Sequence, residues 1–225
     1  MAEPRTGFTV EQELAAGRET VWRALTDPDE LRRWFGWDYP GLEHEIRFIF
    51  LEHAAHTEPE RIEMGDGQAI ELADRAGGTV VRAVRPGPEP PGDEPYDGMR
   101  EGWRAFFVQL AHLLERAPGQ DRRTLYLTGQ GSPQAVADRL GRAVDGPPVA
   151  ASRFGRAVLV PGEGPAAGSG VLAVLDAREP LDASGPARMT LTVSAHGVDG
   201  AAWAAIEGRW TAWWAEAVST QAPGG

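Results

Sequence analysis

Residues 8–35 read FTVEQELAAGRETVWRALTDPDELRRWF, and three structural signals follow one another along this stretch. Phe8, Val10 and Gln12 alternate with Thr9, Glu11 and Glu13, the period-two pattern of a strand with one face covered. Val21, Trp22 and Leu25 then stand three to four residues apart, which predicts a short helix with an apolar stripe. Asp27-Pro28 stops that helix or opens the next, because proline suits a first helical turn. Leu31, Trp34 and Phe35 carry the second helix, and Gly36 ends it.

The same order is written again further on. Arg123–Gly129 (RTLYLTG) leads into Pro133–Leu140 (PQAVADRL), and at an offset of 115 Thr9 falls on Thr124, Val21 on Val136 and Leu25 on Leu140. The ends match too: Trp103-Arg-Ala-Phe-Phe corresponds to Trp210-Thr-Ala-Trp-Trp, now at an offset of 107. A strand and helix closed by an aromatic helix, repeated once with a deletion between, points to two similar domains and not to a solenoid. We expect them over residues 8–117 and 123–219, linked by Ala117–Arg122.

Between these landmarks the pattern is mostly strand-like. Ile46, Phe48 and Phe50 alternate with other residues; Arg61–Met64 and Ala69–Leu72 flank the turn Gly65-Asp66-Gly67; Thr79–Val84 follows Gly77-Gly78. Arg85–Gly98 is rich in proline and glycine and reads as a loop. Met99, Trp103, Phe106, Leu110 and Leu113 recur at three- and four-residue steps, predicting a long helix from about Met99 to Arg116. The second copy is thinner, with a helix at Gln134–Val144 and strands near Arg156–Val160, Val171–Ala177 and Met189–Ala195. Its closing helix, about Ala201–Val218, bears Trp203, Ile206, Trp210, Trp213 and Trp214. Asp97 and Asp199 precede the two closing helices as start signals. Gly162–Gly170 reads as a glycine-rich hairpin loop and lacks the Lys-Ser/Thr of a phosphate loop.

Composition narrows the function classes. There are no cysteines among the 225 residues, so disulfides, thiolate metal sites and cysteine nucleophiles are excluded. All 22 basic residues are arginine, and with the Ala/Gly/Pro/Arg richness this reads as the residue usage of a GC-rich, bacterial genome. The net charge is −11; residues 1–117 hold 23 acidic and 13 arginine residues, so most of the excess lies in the first half. Nucleic-acid binding rests on a basic surface that neutralises phosphate, and an anionic membrane would repel this chain as well. No apolar run approaches the roughly 20 residues of a membrane span. The start MAEPRTGFTVEQE has no signal-peptide core. The expectation is a soluble, cytoplasmic protein with no nucleic-acid or membrane partner.

Glu19–Phe35 (ETVWRALTDPDELRRWF) and the Gly102-Trp103 opening of the long helix resemble the START-like SRPBCC superfamily, in the branch named after activators of heat-shock protein 90 ATPase. The second half is similar to that family through its likeness to the first. The resemblance implies an α+β fold of two helix-grip domains, each a curved antiparallel sheet around a long C-terminal helix with a pocket between them. It also implies a hydrophobic small-molecule ligand, with cyclase or aromatase activity in some members. Fold by itself does not give function.

On that implication the first pocket would be lined by Trp34, Phe35, Trp37, Phe48, Trp103, Phe106 and Phe107, with Arg47 or Arg104 meeting an acidic group. The plainer reading is that an aromatic stripe at helical spacing fills the core. Trp203, Trp210, Trp213 and Trp214 line a second pocket or pack the two halves together, and the packing reading is preferred because tryptophan favours large buried interfaces. His44, His53 and His56, with Glu52 and Glu58, invite a metal hypothesis, but residues three apart on a strand point oppositely, so no metal or other cofactor is expected. His112 sits one residue off the apolar stripe, a surface or rim position. Ser132, Ser152, Ser169, Ser184, Ser194 and Ser219 lack a nucleophile-elbow context, so no catalytic residue is assigned. The expected function is non-catalytic binding of a hydrophobic or aromatic small molecule. A polyketide cyclase or aromatase is one alternative. A co-chaperone-like interaction module, steering its acidic half to a basic protein partner, is the other.

Overall fold

β1 (Phe8–Leu14) buries Phe8, Val10 and Leu14 and leaves Thr9 and Glu11 exposed, as the alternation requires. The computed structural model describes residues 6–65, 67–88, 95–144, 147–162 and 170–219. α1 (Arg18–Thr26) turns Val21, Trp22, Ala24 and Leu25 inward. Asp27 then caps α2 (Pro28–Arg32), its Oδ1 accepting from the backbone N–H groups of Asp29 and Glu30 at 2.8 and 3.3 Å. Trp34 and Phe35 lie just past α2, in a turn that Gly36 closes with φ 62°, a conformation that favours glycine.

α3 (Leu42–Ile46) runs on into a π-helical turn, Arg47–Glu52. This overturns the strand expected from Ile46, Phe48 and Phe50. Leu42, Ile46 and Phe50 are spaced by four and are all buried, while Phe48 between them is 46% exposed. An apolar run this short fits both periods, and docking of Phe50 onto the rings of Trp34 and Phe35 selects the helical one.

β2 (Ala54–Thr57), β3 (Arg61–Met64), β4 (Ala69–Arg75) and β5 (Gly78–Arg85) complete the sheet, in the order β1-β5-β4-β3-β2 with every pairing antiparallel. The Gly65–Gly67 turn stands between β3 and β4, though Asp66 lies outside the described residues. Of the loop expected at Arg85–Gly98, residues 89–94 also lie outside them. α4 (Gly98–Arg116) closes the unit, burying Trp103, Phe107, Leu110 and Leu113. His112 is buried as well, at 6% exposure, which corrects the surface position expected of it.

The second unit repeats the plan. β6 (Arg122–Gly131) leads to α5 (Pro133–Gly141), shorter than expected; then come β7 (Ala150–Ala151), β8 (Gly155–Val160), β9 (Val171–Ala177), β10 (Ala187–His196) and α6 (Gly200–Ser219). Its sheet order, β6-β10-β9-β8-β7, is the same permutation as the first. Residues 163–169 of the expected hairpin loop lie outside the described residues. The chain divides into compact units at Gly119 and Gln120, each with its own apolar core. The architecture is α+β: two five-stranded antiparallel sheets, each with a long C-terminal helix in the helix-grip arrangement.

Candidate functional site

α4 presents its aromatic residues at three- and four-residue spacing, so Trp103, Phe106 and Phe107 fall on neighbouring parts of one face. Trp103 stands edge-on to Phe106 at 6.0 Å and tilted against Phe107 at 5.4 Å between ring centroids. Phe106 reaches Phe35 at 4.6 Å; Phe35 meets Phe50 at 4.9 Å and Trp34 at 5.8 Å; Trp34 meets Phe50 at 6.2 Å. Six rings from three parts of the first unit thus form one connected cluster, at the separations where edge-to-face pairs are favourable.

Five of those rings are closed off from solvent, and Phe106 alone among them is half-buried. The polar edges are satisfied internally. Trp34 Nε1 donates to the Ala24 carbonyl at 2.8 Å, and Trp103 Nε1 donates to Gln68 Oε1 at 2.9 Å.

The remaining expected site residues make other contacts. Trp37 is half-buried beside Tyr39, with ring centroids 6.0 Å apart. Arg47 is exposed and lies 3.6 Å from Glu52, and exposed Phe48 packs on His53 at 3.9 Å. Arg104 pairs with the buried carboxylate of Glu101. Two residues of the cluster were missed as site candidates. Phe50 was assigned to a strand, and nothing in the local pattern singles out Gln68, a lone polar residue ahead of β4.

Near the start of α4, Asp97 accepts from the N–H groups of Met99 and Arg100 at 3.0 and 3.2 Å and pairs with Arg85 of β5. Burial by itself would raise the Asp97 pKa. The Arg85 hydrogen bond and charge, with the two backbone donors, outweigh it and hold the carboxyl below its ordinary value. Tyr39 is shifted the other way, up to about 12, by burial together with the hydrogen bond to Glu45 and its charge.

The histidines are dispersed. His44 is exposed on α3; His53 faces Phe48; His56 Nε2 donates to the Phe50 carbonyl at 2.9 Å and its ring stands edge-on to Trp22. Among the described residues no group of three His, Asp or Glu is arranged to hold a metal ion. No described helix is long and apolar enough to cross a membrane. Ser132 caps α5 by accepting from the Ala135 N–H, and Ser152 accepts from Phe154 and Gly155.

In the second unit, Trp210 and Trp214 belong to the unit's own core, with Trp203 and Trp213 packed against it. The preferred expectation had assigned these rings to packing between the halves. The stripe spacing that buries Trp103 and Phe107 in the first unit buries Trp210 and Trp214 here.

No protein-family model and no curated protein matches the chain. Among solved structures, DynU16, a protein in the dynemicin biosynthetic locus, is 18% identical over 96% of this chain and 97% of its own, with a TM-score of 0.36. The Aha1 dimer from Colwellia psychrerythraea is 19% identical over 51% of this chain and 100% of that one, TM-score 0.36. An AHSA1-like protein from Rhizobium etli is 26% identical over 50% and 86%, TM-score 0.34.

Proposed function

We propose that the first unit binds a hydrophobic or aromatic small molecule against the aromatic face of α4 and does not turn it over. The observation that carries this is Phe106. Its ring packs on Phe35 and Trp103 yet stays half-buried, so the cluster reaches the surface there. A guest entering at Phe106 meets apolar rings and one uncharged polar pair, Gln68 with Trp103, the composition of a small-molecule site.

The test is a thermal-shift screen of aromatic polyketides and fatty acids on the wild type and on Phe106→Ala. Binding at a hundred times Kd stabilises the folded state by about 2.7 kcal/mol, a shift of several degrees. We expect such a shift in the wild type and a weaker one in Phe106→Ala. A screen with no shift, or one that Phe106→Ala leaves unchanged, overturns the reading.

One observation favours a protein-interaction role instead. The other five rings are closed, while Phe48 and Tyr39 are 46% and 38% exposed. If the screen is silent, substitution of Phe48 and Tyr39 by serine should abolish capture of a basic protein partner and leave the melting temperature unchanged.

A further inference from the structure

The two closing helices share an apolar stripe, and one difference along it concerns an indole N–H. At the offset of 107, Trp103, Phe106, Phe107 and Leu110 correspond to Trp210, Trp213, Trp214 and Ala217. In both sets the first, third and fourth are buried and the second is half-buried. The ring geometry follows: Trp103 stands edge-on to Phe106, and Trp210 edge-on to Trp213 with centroids 5.5 Å apart.

The indole N–H groups are treated differently. Trp103 Nε1 donates to Gln68 Oε1. Trp210 is equally buried, at 3% exposure, and its Nε1 has no hydrogen-bond partner among the described residues.

The strand register gives the reason. Thr9 pairs with Val84, which pairs with Ala69; its counterpart Thr124 pairs with Ser194, which pairs with Leu172. Gln68, one residue before Ala69, therefore corresponds to Val171. Core membership agrees, because Ile70 and Leu72 in the first unit and Val171, Ala173 and Leu175 in the second face their cores. Valine has replaced the acceptor, and alanine stands at Ala173 where the first unit has Ile70.

A second difference concerns what fills the helix-grip interior. In the first unit Trp34, Phe35 and Phe50, from the segment between α1 and β2, pack toward α4. The corresponding stretch between α5 and β7, residues 142–149, contains no aromatic residue, and no helix is described in it.

The geometry points to Trp210 as the hydrogen-bond donor of a ligand site in the second unit, one that takes a flat apolar molecule carrying a single acceptor oxygen, such as an aryl ketone. Buried donors are nearly always paired, so a solitary N–H among apolar side chains is an exception that a bound acceptor accounts for. Trp210 shares its core with Ala173, Met189, Leu191 and Val193, which supply apolar contact. The carbonyl of such a guest would stand to Trp210 as the Gln68 amide stands to Trp103. This inference is independent of the site at Phe106, which lies in the other unit.

The experiment pairs each ketone with a hydrocarbon of the same shape: acetophenone with α-methylstyrene and 2-acetylnaphthalene with 2-isopropenylnaphthalene. Each is titrated into full-length protein while the indole N–H resonances are followed by NMR. The Trp210 and Trp103 signals are assigned from Trp210→Phe and Trp103→Phe. We expect at least one ketone to shift the Trp210 resonance saturably and to bind about five- to tenfold more tightly than its hydrocarbon partner, the worth of one hydrogen bond. That preference should vanish in Trp210→Phe.

Equal binding of ketone and hydrocarbon overturns the proposal. So does a panel that leaves the Trp210 resonance unmoved, or a Trp210 N–H that contacts only a long-lived water. If Trp210→Phe fails to fold, Val171→Gln decides: an internal acceptor at that position should compete with the guest and weaken ketone binding, and undiminished binding overturns the inference. A shift of the Trp103 resonance alone would support the first-unit site and reject this one.

Discussion

Single side chains in this protein are tuned by partners far away in the chain. Trp103 and Gln68 are 35 residues apart, and their hydrogen bond is buried. Trp103→Phe removes the donor and keeps most of the ring, so we expect it to destabilise the first unit by about 1–3 kcal/mol in urea titrations. Pairing it with Gln68→Leu should recover part of that loss, and a double-mutant cycle should return a coupling of about 1 kcal/mol. Full additivity would mean that the pair contributes no interaction of its own. Residue-scale legibility was uneven. Trp34, Phe35, Trp103, Phe106 and Phe107 were nominated from the sequence and do meet, whereas Phe50 was assigned the wrong period and Gln68 gave no local sign. An amide ahead of a strand reads as an ordinary turn residue until the register aims it at an indole.

Elements owe their ends to short polar signals and their middles to apolar stripes. α4 shows both, with Asp97 at its start and Trp103, Phe107, Leu110 and Leu113 along its buried face. Asp199 plays the same part for α6, accepting from the Ala202 N–H at 2.8 Å. Asp97→Ala loses the cap, worth about 1 kcal/mol, and also strips Arg85 of its carboxylate. Asp97→Asn keeps a capping side chain and removes only the charge.

The pH dependence separates the two effects. The Asp97 pKa lies below its ordinary 3.8 in the folded state, so its charged interactions stabilise the fold at pH values above that and are lost as pH falls through the folded value. Between pH 5 and pH 3 we therefore expect Asp97→Asn to approach wild-type stability, while Asp97→Ala stays below both. Chemical denaturation across that range checks this, and a gap between wild type and Asp97→Asn that does not narrow would assign the cost to packing. Long helices such as α4 and α6 could be read from sequence because many turns repeat the same stripe. The stretch 42–52 could not, because four apolar residues within the five positions 46–50 fit a strand and a helix alike.

At the scale of the whole molecule, the duplication is the organising fact. Both sheets use the same strand permutation, and each unit has a core of its own. We propose that residues 8–117 and 123–219 are autonomous domains. Expressed separately as residues 1–119 and 120–225, each should unfold cooperatively, with a denaturant m-value suited to roughly 100 residues. A gradual, non-cooperative loss of signal from either piece would show that it depends on the other.

The sequence by itself determined the tandem repeat, the positions of the closing helices and most strands, the absence of cysteine chemistry and the acidic net charge of −11. These depend on composition and on periodicities that neighbouring residues set. Only the tertiary structure decided which rings of the first unit meet, that residues 42–52 run as helix, that His112 is buried, and that Trp103 has an acceptor where Trp210 has none among the described residues. Those outcomes depend on strand register and helix docking, which join residues tens of positions apart and leave no mark on the local pattern.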